Sequence, residues 1–173
     1  MSFVIWMTGL SGAGKTTIAR WLENHYKEQG RKVEVLDGDE VRANLSPGLG
    51  FTPEERTAHN KRVIHMAKVL SRNDVIVLVS LISPYKIIRE LARSELPKFM
   101  EVHVNCPLEV CMKRDVKGLY AKAKTGEVKA MTGFSDTYED PENPELVVST
   151  QHETVEESAK KIIRISKKLG LDI

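Results

Sequence analysis

Short apolar runs alternate with amphipathic stretches along the chain, and this alternation predicts most of its secondary structure. The clearest run, residues 75–79, is β-branched and apolar throughout, which is typical of a strand that is covered on both faces. Runs of this kind predict five strands, at residues 3–8, 32–36, 75–79, 101–104 and 146–148. Apolar residues at helical spacing predict six helices, at residues 16–29, 40–45, 52–72, 86–95, from 107 onward and 154–169.

The order of these elements predicts an α/β fold. Strands that alternate with helices form a parallel sheet with helices on both faces, and ligands bind at the carboxyl ends of such strands. A length of 173 residues suits one core, so we predict a single domain over residues 1–173. Residues 115–144 show no periodicity, and we predict that this long segment is a mobile lid over the ligand site.

Composition and charge narrow the range of partners. The formal net charge is +2 with acids and bases mixed along the chain, which predicts neither a nucleic-acid nor a membrane partner. No signal peptide is recognisable and no apolar run approaches the ~20 residues of a membrane span, so we expect a cytoplasmic location. Cys106 and Cys111 have no second pair, and we interpret them as buried free thiols rather than as zinc ligands.

The strongest chemical signal is Gly-Leu-Ser-Gly-Ala-Gly-Lys-Thr at residues 9–16, directly after the first predicted strand. It fits G-x-x-x-x-G-K-[ST], in which glycines let backbone N–H groups surround phosphate oxygens at a helix N-terminus. Lys15 is placed to reach the β- and γ-phosphates, and the Thr16 hydroxyl is placed to ligate Mg²⁺. The predicted nucleotide-binding residues are Gly9, Leu10, Ser11, Gly12, Ala13, Gly14, Lys15, Thr16 and Thr17.

The rest of the chain favours a small-molecule kinase over other proteins with this loop. The guanine-reading Asn/Thr-Lys-x-Asp segment of regulatory GTPases is absent, and strand 75–79 runs into Ser80 rather than into a Walker-B aspartate. Asp37 and Asp39 instead follow the second predicted strand. Asp39 has two interpretations at this point, a general base or an N-cap of the following helix, and Asp37 and Asp39 could share these roles.

Several further motifs resemble those of adenylyl-sulfate kinases, and the resemblance covers essentially the whole chain in order. They are Asp37-Gly38-Asp39-x-x-Arg42, Leu49-Gly50-Phe51, Arg56, Ser83-Pro84-Tyr85 with Arg89, Pro107-Leu108-Glu109-Val110-Cys111, Arg114-Asp115-x-Lys117-Gly118-Leu119-Tyr120, Thr132-Gly133, Tyr138-Glu139 and residues 141–146. The resemblance implies a P-loop kinase that converts ATP and adenosine 5′-phosphosulfate to ADP and 3′-phosphoadenosine 5′-phosphosulfate. It also implies a homodimer.

The resemblance implies roles for individual residues as well. Asp39 would accept the proton of the ribose 3′-hydroxyl, and Arg114 with Lys15 would stabilise charge on the transferring phosphate. Ser83 is implied as catalytic because the family's serine at this position is described as a phosphoserine, although an aspartate base and direct transfer suffice physically. The predicted catalytic residues are thus Asp39, Lys15, Arg114 and Ser83. The predicted substrate-binding residues are Asp37, Asp39, Arg42, Phe51, Arg56, His59, Ile82, Ser83, Lys117 and Met131.

Two of these positions depart from the family pattern. His59 stands where the family usually has Asn, with Asn60 in place of an aliphatic residue, and Met131 stands where a lid phenylalanine usually stacks on the acceptor adenine. A stack of Phe51, adenine and Met131 remains chemically reasonable because thioethers pack on aromatic faces. Two alternatives therefore stay open, a kinase of the same fold with another hydroxyl acceptor, and a nucleotide-binding regulatory module without transfer activity.

Overall fold

The computed structural model describes residues 1–172, and its centre is a five-stranded sheet in which all neighbouring strands are parallel. The strands are β1 (Val4–Thr8), β2 (Val33–Asp37), β3 (Ile76–Ser80), β4 (Phe99–Asn105) and β5 (Leu146–Ser149). Their order across the sheet is β2-β3-β1-β4-β5, so β1 is the central strand. The predicted α/β class with a parallel sheet is confirmed.

Seven helices surround the sheet within residues 1–172. They are α1 (Lys15–Glu28), α2 (Gly38–Leu45), α3 (Pro53–Arg72), α4 (Lys86–Glu95), α5 (Leu108–Arg114), α6 (Leu119–Lys124) and α7 (Val155–Lys168). The helix α6 was not predicted; it lies within residues 115–144, a segment without a periodic pattern that we interpreted as partly irregular. Its start is held by Asp115, whose carboxylate accepts hydrogen bonds from the backbone N–H groups of Tyr120 and Ala121, both at 3.0 Å.

The central strand is buried on both faces, which explains its continuous apolar sequence. Phe3, Ile5 and Met7 pack into one core cluster with α1 and α7, while Val4 and Trp6 pack into a second cluster with α3 and α4. All five side chains are fully buried. Because successive side chains of a strand point to opposite faces, one short run of sequence contributes to both cores.

The start of α3 has the capping arrangement that the sequence Thr-Pro-Glu-Glu at residues 52–55 predicts. The Thr52 hydroxyl accepts a hydrogen bond from the Glu55 backbone N–H, the Glu55 carboxylate accepts one from the Thr52 N–H, and Pro53 occupies the first turn. A capping box satisfies two N–H groups that lack helical partners, and loss of an N-cap typically costs about 1 kcal/mol. This start sets the position of α3 beside the ligand site described below.

Most predicted bounds agree with the structure to within one residue, and two of them differ by two residues. The helix α2 begins at Gly38 rather than at residue 40, because Asp37 is already its N-cap residue. The strand β4 begins at Phe99 rather than at residue 101 and pairs with β1 along its length. No helix in residues 1–172 combines the length and apolar character needed to span a membrane.

Candidate functional site

The loop between β1 and α1 forms one end of a cavity of about 670 Å³ at the carboxyl edge of the sheet. Gly9 lies so close to β4 that a Cβ atom at this position would be 2.4 Å from the backbone oxygen of Val104. Gly14, the N-cap residue of α1, has a φ of 103°, a conformation that favours glycine. The glycines of the predicted phosphate loop therefore serve both a close backbone approach and a left-handed turn.

Lys15 folds back across this loop. Its Nζ donates hydrogen bonds to the backbone oxygens of Gly9 and Leu10, at 2.8 and 2.7 Å, and only 7% of the residue is exposed. Burial, and to a smaller extent the nearby charge of Lys117, lower its pKa to about 8. A bound polyanion would favour the charged form, so this lysine is suited to respond to phosphate.

Thr16 connects the loop to the ends of two strands. Its Oγ1 donates to the carboxylate of Asp37 at 3.2 Å and lies 3.2 Å from the Oγ of Ser80. Asp37 and Ser80 are paired in register at the ends of β2 and β3, which brings the two side chains together. Two hydroxyls and one carboxylate are hard oxygen ligands of the kind that Mg²⁺ prefers, together with phosphate oxygens.

Ser80 was not predicted as a site residue, although its position at the end of the clearest strand was a usable signal. No group of three or more His, Cys, Asp or Glu side chains within residues 1–172 could hold a metal ion. A magnesium site with a single carboxylate does not need such a group, because most of its ligands are hydroxyl, phosphate and water oxygens. Asp37 is thus the acidic residue that the fold places beside Thr16.

Asp39 lies on α2 next to Asp37 but has a different environment. Its side chain is 72% exposed and forms an ion pair with Lys117 of the lid. Because α2 begins at Gly38, Asp39 lies inside the helix and does not cap it, so the N-cap interpretation of Asp39 is wrong. Asp37 occupies the N-cap position, but its carboxylate makes no capping hydrogen bond and binds Thr16 instead. The two aspartates therefore have separate surroundings.

The opposite end of the cavity is cationic and aromatic. The guanidinium carbon of Arg42 lies 4.4 Å from the ring centroid of Phe51, and that of Arg56 lies 5.8 Å from it. Phe51 is 55% exposed, so it is not part of the hydrophobic core. We call residues 9–17 the loop half of the cavity, and Arg42, Phe51 and Arg56 the arginine half.

Arg56 also holds the lid segment. Its Nε donates to the backbone oxygen of Phe51, its Nη1 donates to the Thr132 hydroxyl at 2.5 Å, and its Nη2 donates to the backbone oxygen of Ala130 at 2.8 Å. Asp136 pairs with the same Nη2 at 3.2 Å. A guanidinium that is 6% exposed and bonded in this way anchors residues 130–136 over the arginine half.

His59 and Met131 line the same end of the cavity. His59 is 5% exposed, and its Nδ1 lies 2.8 Å from the Oγ of Ser46. Burial lowers the His59 pKa to about 4, with smaller contributions from the charges of Arg42 and Arg62, so the ring is neutral at pH 7. Met131 is 4% exposed and belongs to the core cluster around α1.

Ile82 and Ser83 line the cavity just after the end of β3. The Thr8 hydroxyl donates to the backbone oxygen of Ile82 at 2.7 Å, and the indole N–H of Trp6 donates to the Ser83 Oγ at 3.0 Å. Ser83 has a φ of 41°, is 2% exposed, and its backbone oxygen accepts a hydrogen bond from Arg89. The Ser83 hydroxyl is therefore bound to the core, and this geometry argues against its predicted catalytic role.

The side chains of Arg114 and Tyr120 hold the start of segment 115–144, the predicted lid, against the phosphate loop. Arg114 donates to the backbone oxygens of Gly12 and Thr150, at 3.3 and 2.8 Å. The Tyr120 hydroxyl donates to the Ser11 backbone oxygen at 2.8 Å. Tyr120 and Thr150 were not predicted as site residues, because their roles depend on the hydrogen bonds of Tyr120 to Ser11 and of Thr150 to Ala13, which join residues 109 and 137 positions apart.

Comparison with known proteins identifies relatives along almost the whole chain. Residues 1–149 match the family model described as adenylylsulphate kinase. The probable adenylyl-sulfate kinase of Pyrococcus abyssi is 57% identical over 168 residues, which cover 97% of both chains. The adenylyl-sulfate kinase of Halothermothrix orenii is 54% identical over 166 residues, which cover 96% of this chain and 90% of the relative.

A solved structure of the Mycobacterium tuberculosis APS kinase CysC in complex with AMPPNP and APS has a similar fold. It superposes with a TM-score of 0.92 at 37% sequence identity, over 96% of this chain and 98% of that chain. A shikimate kinase from Aquifex aeolicus, at 16% identity and a TM-score of 0.54, shares the fold alone.

Proposed function

The chain belongs to the adenylyl-sulfate kinase family, and we propose that its cavity transfers the γ-phosphoryl group of ATP to the ribose 3′-hydroxyl of adenosine 5′-phosphosulfate. The products are ADP and 3′-phosphoadenosine 5′-phosphosulfate. The observation that carries this proposal is the continuity of the cavity, which joins a phosphate loop to a cationic and aromatic end. A donor and an acceptor nucleotide thus have separate places on one surface.

The loop half would bind ATP. Backbone N–H groups at the start of α1 and the ammonium of Lys15 bind the phosphates. Thr16, Asp37 and Ser80 would hold Mg²⁺, which neutralises charge on the β- and γ-phosphates when it is bound. Arg114 lies against the loop at Gly12, so its guanidinium adds positive charge to the same region. These residues position the phosphoryl group and stabilise its charge during transfer.

Asp39 would be the general base. Its carboxylate is exposed, lines the cavity and does not bind Thr16, so it can take the 3′-hydroxyl proton once Lys117 releases it. In the transfer step, a bond forms between the 3′-oxygen and the γ-phosphorus, and the bond from that phosphorus to the ADP oxygen breaks. Lys117 pairs with Asp39 and would exchange this carboxylate for the transferring phosphate.

The arginine half would bind the acceptor. Arg42 and Arg56 provide guanidinium groups for the phosphosulfate, and Phe51 provides an exposed aromatic face for the adenine. Arg56 already binds the lid, so acceptor binding and the position of residues 130–136 would depend on the same side chain. Met131 would complete the stack from the lid side.

Ser83 would act as a positioning residue and not as a nucleophile. Its backbone oxygen is held by Arg89 and its hydroxyl by Trp6, so the side chain fixes the wall next to Ile82. Direct transfer with Asp39 as base requires no phosphoserine. Homodimerisation and a cytoplasmic location stay predictions, and the buried free thiols of Cys106 and Cys111 fit a reducing compartment.

The test is a coupled assay of ADP release with ATP, Mg²⁺ and a panel of acceptors. We expect turnover with adenosine 5′-phosphosulfate and little with adenosine, gluconate or shikimate. Lys15→Ala should lose turnover with every acceptor, whereas Lys98→Ala, an exposed lysine far along the chain, should behave like the parent. Preferred turnover of a different hydroxyl acceptor by the parent protein would refute the proposed substrate.

A further inference from the structure

Arg89 on α4 is a buried cation that binds two segments of the site from outside the cavity. The residue is 2% exposed and is not among the residues that line the cavity. Its Nη1 donates to the backbone oxygen of Ser83 at 2.7 Å, and its Nη2 donates to the backbone oxygen of Glu139 at 2.5 Å. One planar guanidinium thus joins the cavity lining that follows β3 to the end of the predicted lid.

The third edge of the Arg89 guanidinium faces β4. Its Nε lies 3.0 Å from Oε1 of Glu101, a residue that is 6% exposed. This Oε1 accepts no hydrogen bond within residues 1–172, so the contact acts through charge alone. A buried ion pair adds little to the free energy of unfolding, because desolvation of both charges offsets their attraction. We therefore interpret its role as geometric: it keeps the guanidinium in the orientation that directs Nη1 and Nη2 at the two backbone oxygens.

The same end of the lid has further contacts with residues at and just after the strand ends. The Glu139 backbone N–H donates to the backbone oxygen of Pro84 at 2.9 Å. The Tyr138 hydroxyl lies 2.8 Å from Oγ1 of Thr8, the last residue of β1. The Arg89 guanidinium carbon lies 5.7 Å from the centroid of the Tyr138 ring. The lid end and the cavity lining therefore form one packed unit, with Arg89 at its centre.

Ser83 needs support of this kind because its backbone is strained. Its φ of 41° lies in the left-handed region, which is unfavourable for a residue with a side chain and persists only where the surroundings hold it. The Thr8 hydroxyl donates to Ile82 at 2.7 Å and is 3.4 Å from the Ser83 backbone oxygen. Arg89, at 2.7 Å, is therefore the close donor to this oxygen. Without Arg89, a buried carbonyl oxygen would keep only a distant donor, and residues 82–83 would be free to relax.

We propose that Arg89 is a positioning residue for acceptor binding. It holds Ile82 and Ser83 in place in the cavity lining and fixes the end of the lid to them. This inference rests on the proposed function, because Ile82 and Ser83 are predicted to bind the acceptor nucleotide. Within residues 1–172, none of the hydrogen bonds or ion pairs of Arg89 reaches residues 9–17. Loss of Arg89 should therefore weaken acceptor binding and leave ATP binding unchanged.

Arg93 offers a matched control one helical turn farther along α4. It pairs with the same Glu101 carboxylate at 3.0 Å. Within residues 1–172, it forms no hydrogen bond or ion pair with Ser83 or Glu139. Arg93→Met thus removes a cation from the same helix and from the same carboxylate, and leaves both backbone hydrogen bonds of Arg89 in place. A difference between the variants at the two positions isolates those two hydrogen bonds.

The first test compares Arg89→Met, Arg89→Lys and Arg93→Met with the parent in steady-state kinetics. In Arg89→Met, we expect the KM for adenosine 5′-phosphosulfate to rise by about tenfold or more, while the KM for ATP stays within about twofold. Arg89→Lys keeps the charge beside Glu101 but has a single nitrogen for two backbone oxygens, so its acceptor KM should lie between those of Arg89→Met and the parent. Arg93→Met should behave like the parent.

The lysine variant keeps this test decisive if the methionine variant does not fold. Urea unfolding first establishes which variants are folded. A raised acceptor KM in folded Arg89→Lys, with the KM for ATP unchanged, then supports the proposal. An acceptor KM equal to that of the parent in every folded Arg89 variant overturns it.

The second test locates the effect by hydrogen exchange followed by NMR. The Glu139 backbone N–H reports the lid end, and the Trp6 indole N–H, which donates to the Ser83 Oγ, reports the cavity lining. In the folded Arg89 variants, both should exchange about tenfold faster while the backbone amides of β1 keep the parent's rates. Arg93→Met should leave all these rates unchanged. A uniform increase along the chain would mean a loss of global stability alone, and it would overturn the positioning role.

The outcomes separate this inference from the proposed function. If the parent does not phosphorylate adenosine 5′-phosphosulfate, the proposed function is wrong and the role of Arg89 in acceptor binding falls with it, whatever the exchange rates show. If the parent phosphorylates it and the folded Arg89 variants keep the parent's acceptor KM, the proposed function stands and the positioning inference is wrong.

Discussion

The loop half of the cavity is built from backbone groups of a few consecutive residues, whereas the arginine half is built from side chains of separate elements. In the loop half, Gly9 and Gly14 set the path of the chain and Lys15 binds the loop's own carbonyls. In the arginine half, Arg56 on α3 joins Phe51 to residues 130–136 of the lid. The two halves thus differ in how far apart their parts lie in the sequence.

This difference has a functional consequence. The positions of backbone N–H donors change little when side chains are substituted. Such donors suit recognition of the phosphates that all nucleoside triphosphates share. Side chains from several elements are free to change one at a time, which suits recognition of a particular acceptor. His59 and Met131, the two residues that depart from the family pattern, line the same end of the cavity as the arginine half. We therefore expect family members to differ in acceptor binding at this end.

The largest effect is expected at Asp39, which lines the cavity and pairs with Lys117. Asp39→Asn removes the proposed base without changing the side chain's size, and general-base catalysis contributes about 10²- to 10⁴-fold in rate. We expect kcat to fall within this range while ATP binding, measured by calorimetry, is retained. Asp74→Asn is the matched control on an exposed turn. Normal turnover of Asp39→Asn would contradict the assignment.

The next largest effect is expected at Phe51, where a substitution tests whether the two halves bind their ligands separately. Phe51→Ala removes the exposed aromatic face, and stacking of a base on an aromatic side chain is worth about 1–3 kcal/mol. The KM for adenosine 5′-phosphosulfate should rise by about 5- to 150-fold, and the KM for ATP should stay within about twofold. An equal rise in both KM values in steady-state kinetics would mean that the halves do not bind their ligands separately.

A smaller effect is expected at Gly9, where a substitution tests the close approach of the loop half to β4. Gly9→Ala would place a Cβ atom 2.4 Å from the Val104 oxygen, so the loop or β4 must move. We expect a loss of about 1–3 kcal/mol in the free energy of unfolding, as in overpacked cores, and weaker ATP binding. Gly48→Ala is the control, because it also has a positive φ but no atom near the added Cβ. Equal stability of the two variants in urea would show that the close approach is not limiting.

The smallest effect is a pH dependence in the loop half. Burial lowers the Lys15 pKa from 10.5 to about 8, so the ammonium is fully present below that pH and is lost above it. Since the charged form binds phosphate, kcat/KM for ATP should fall above about pH 8, by at most tenfold per pH unit. Lys15→Arg should remove this alkaline limb, because arginine stays protonated. A flat profile of the parent up to pH 10 would show that the Lys15 pKa is not lowered.

The sequence predicts the scaffold better than the acceptor site. The predicted bounds of α4, residues 86–95, agree with the structure, and the capping box at Thr52 is confirmed. These features depend on residues within one or two helical turns. The short helix α6 was missed because its start depends on the Asp115 carboxylate, which bonds to N–H groups five and six residues later and leaves no apolar period.

The sequence by itself determined the α/β class, the phosphate loop and the family, because each depends on local patterns or on motifs in a fixed order. The tertiary structure alone decided which aspartate lies beside Thr16, where the Ser83 hydroxyl is bound, and which ring nitrogen of His59 faces Ser46. These properties arise where strand ends and helices meet in space. Their hydrogen bonds join residues that are 13 to 77 positions apart, so no local pattern records them.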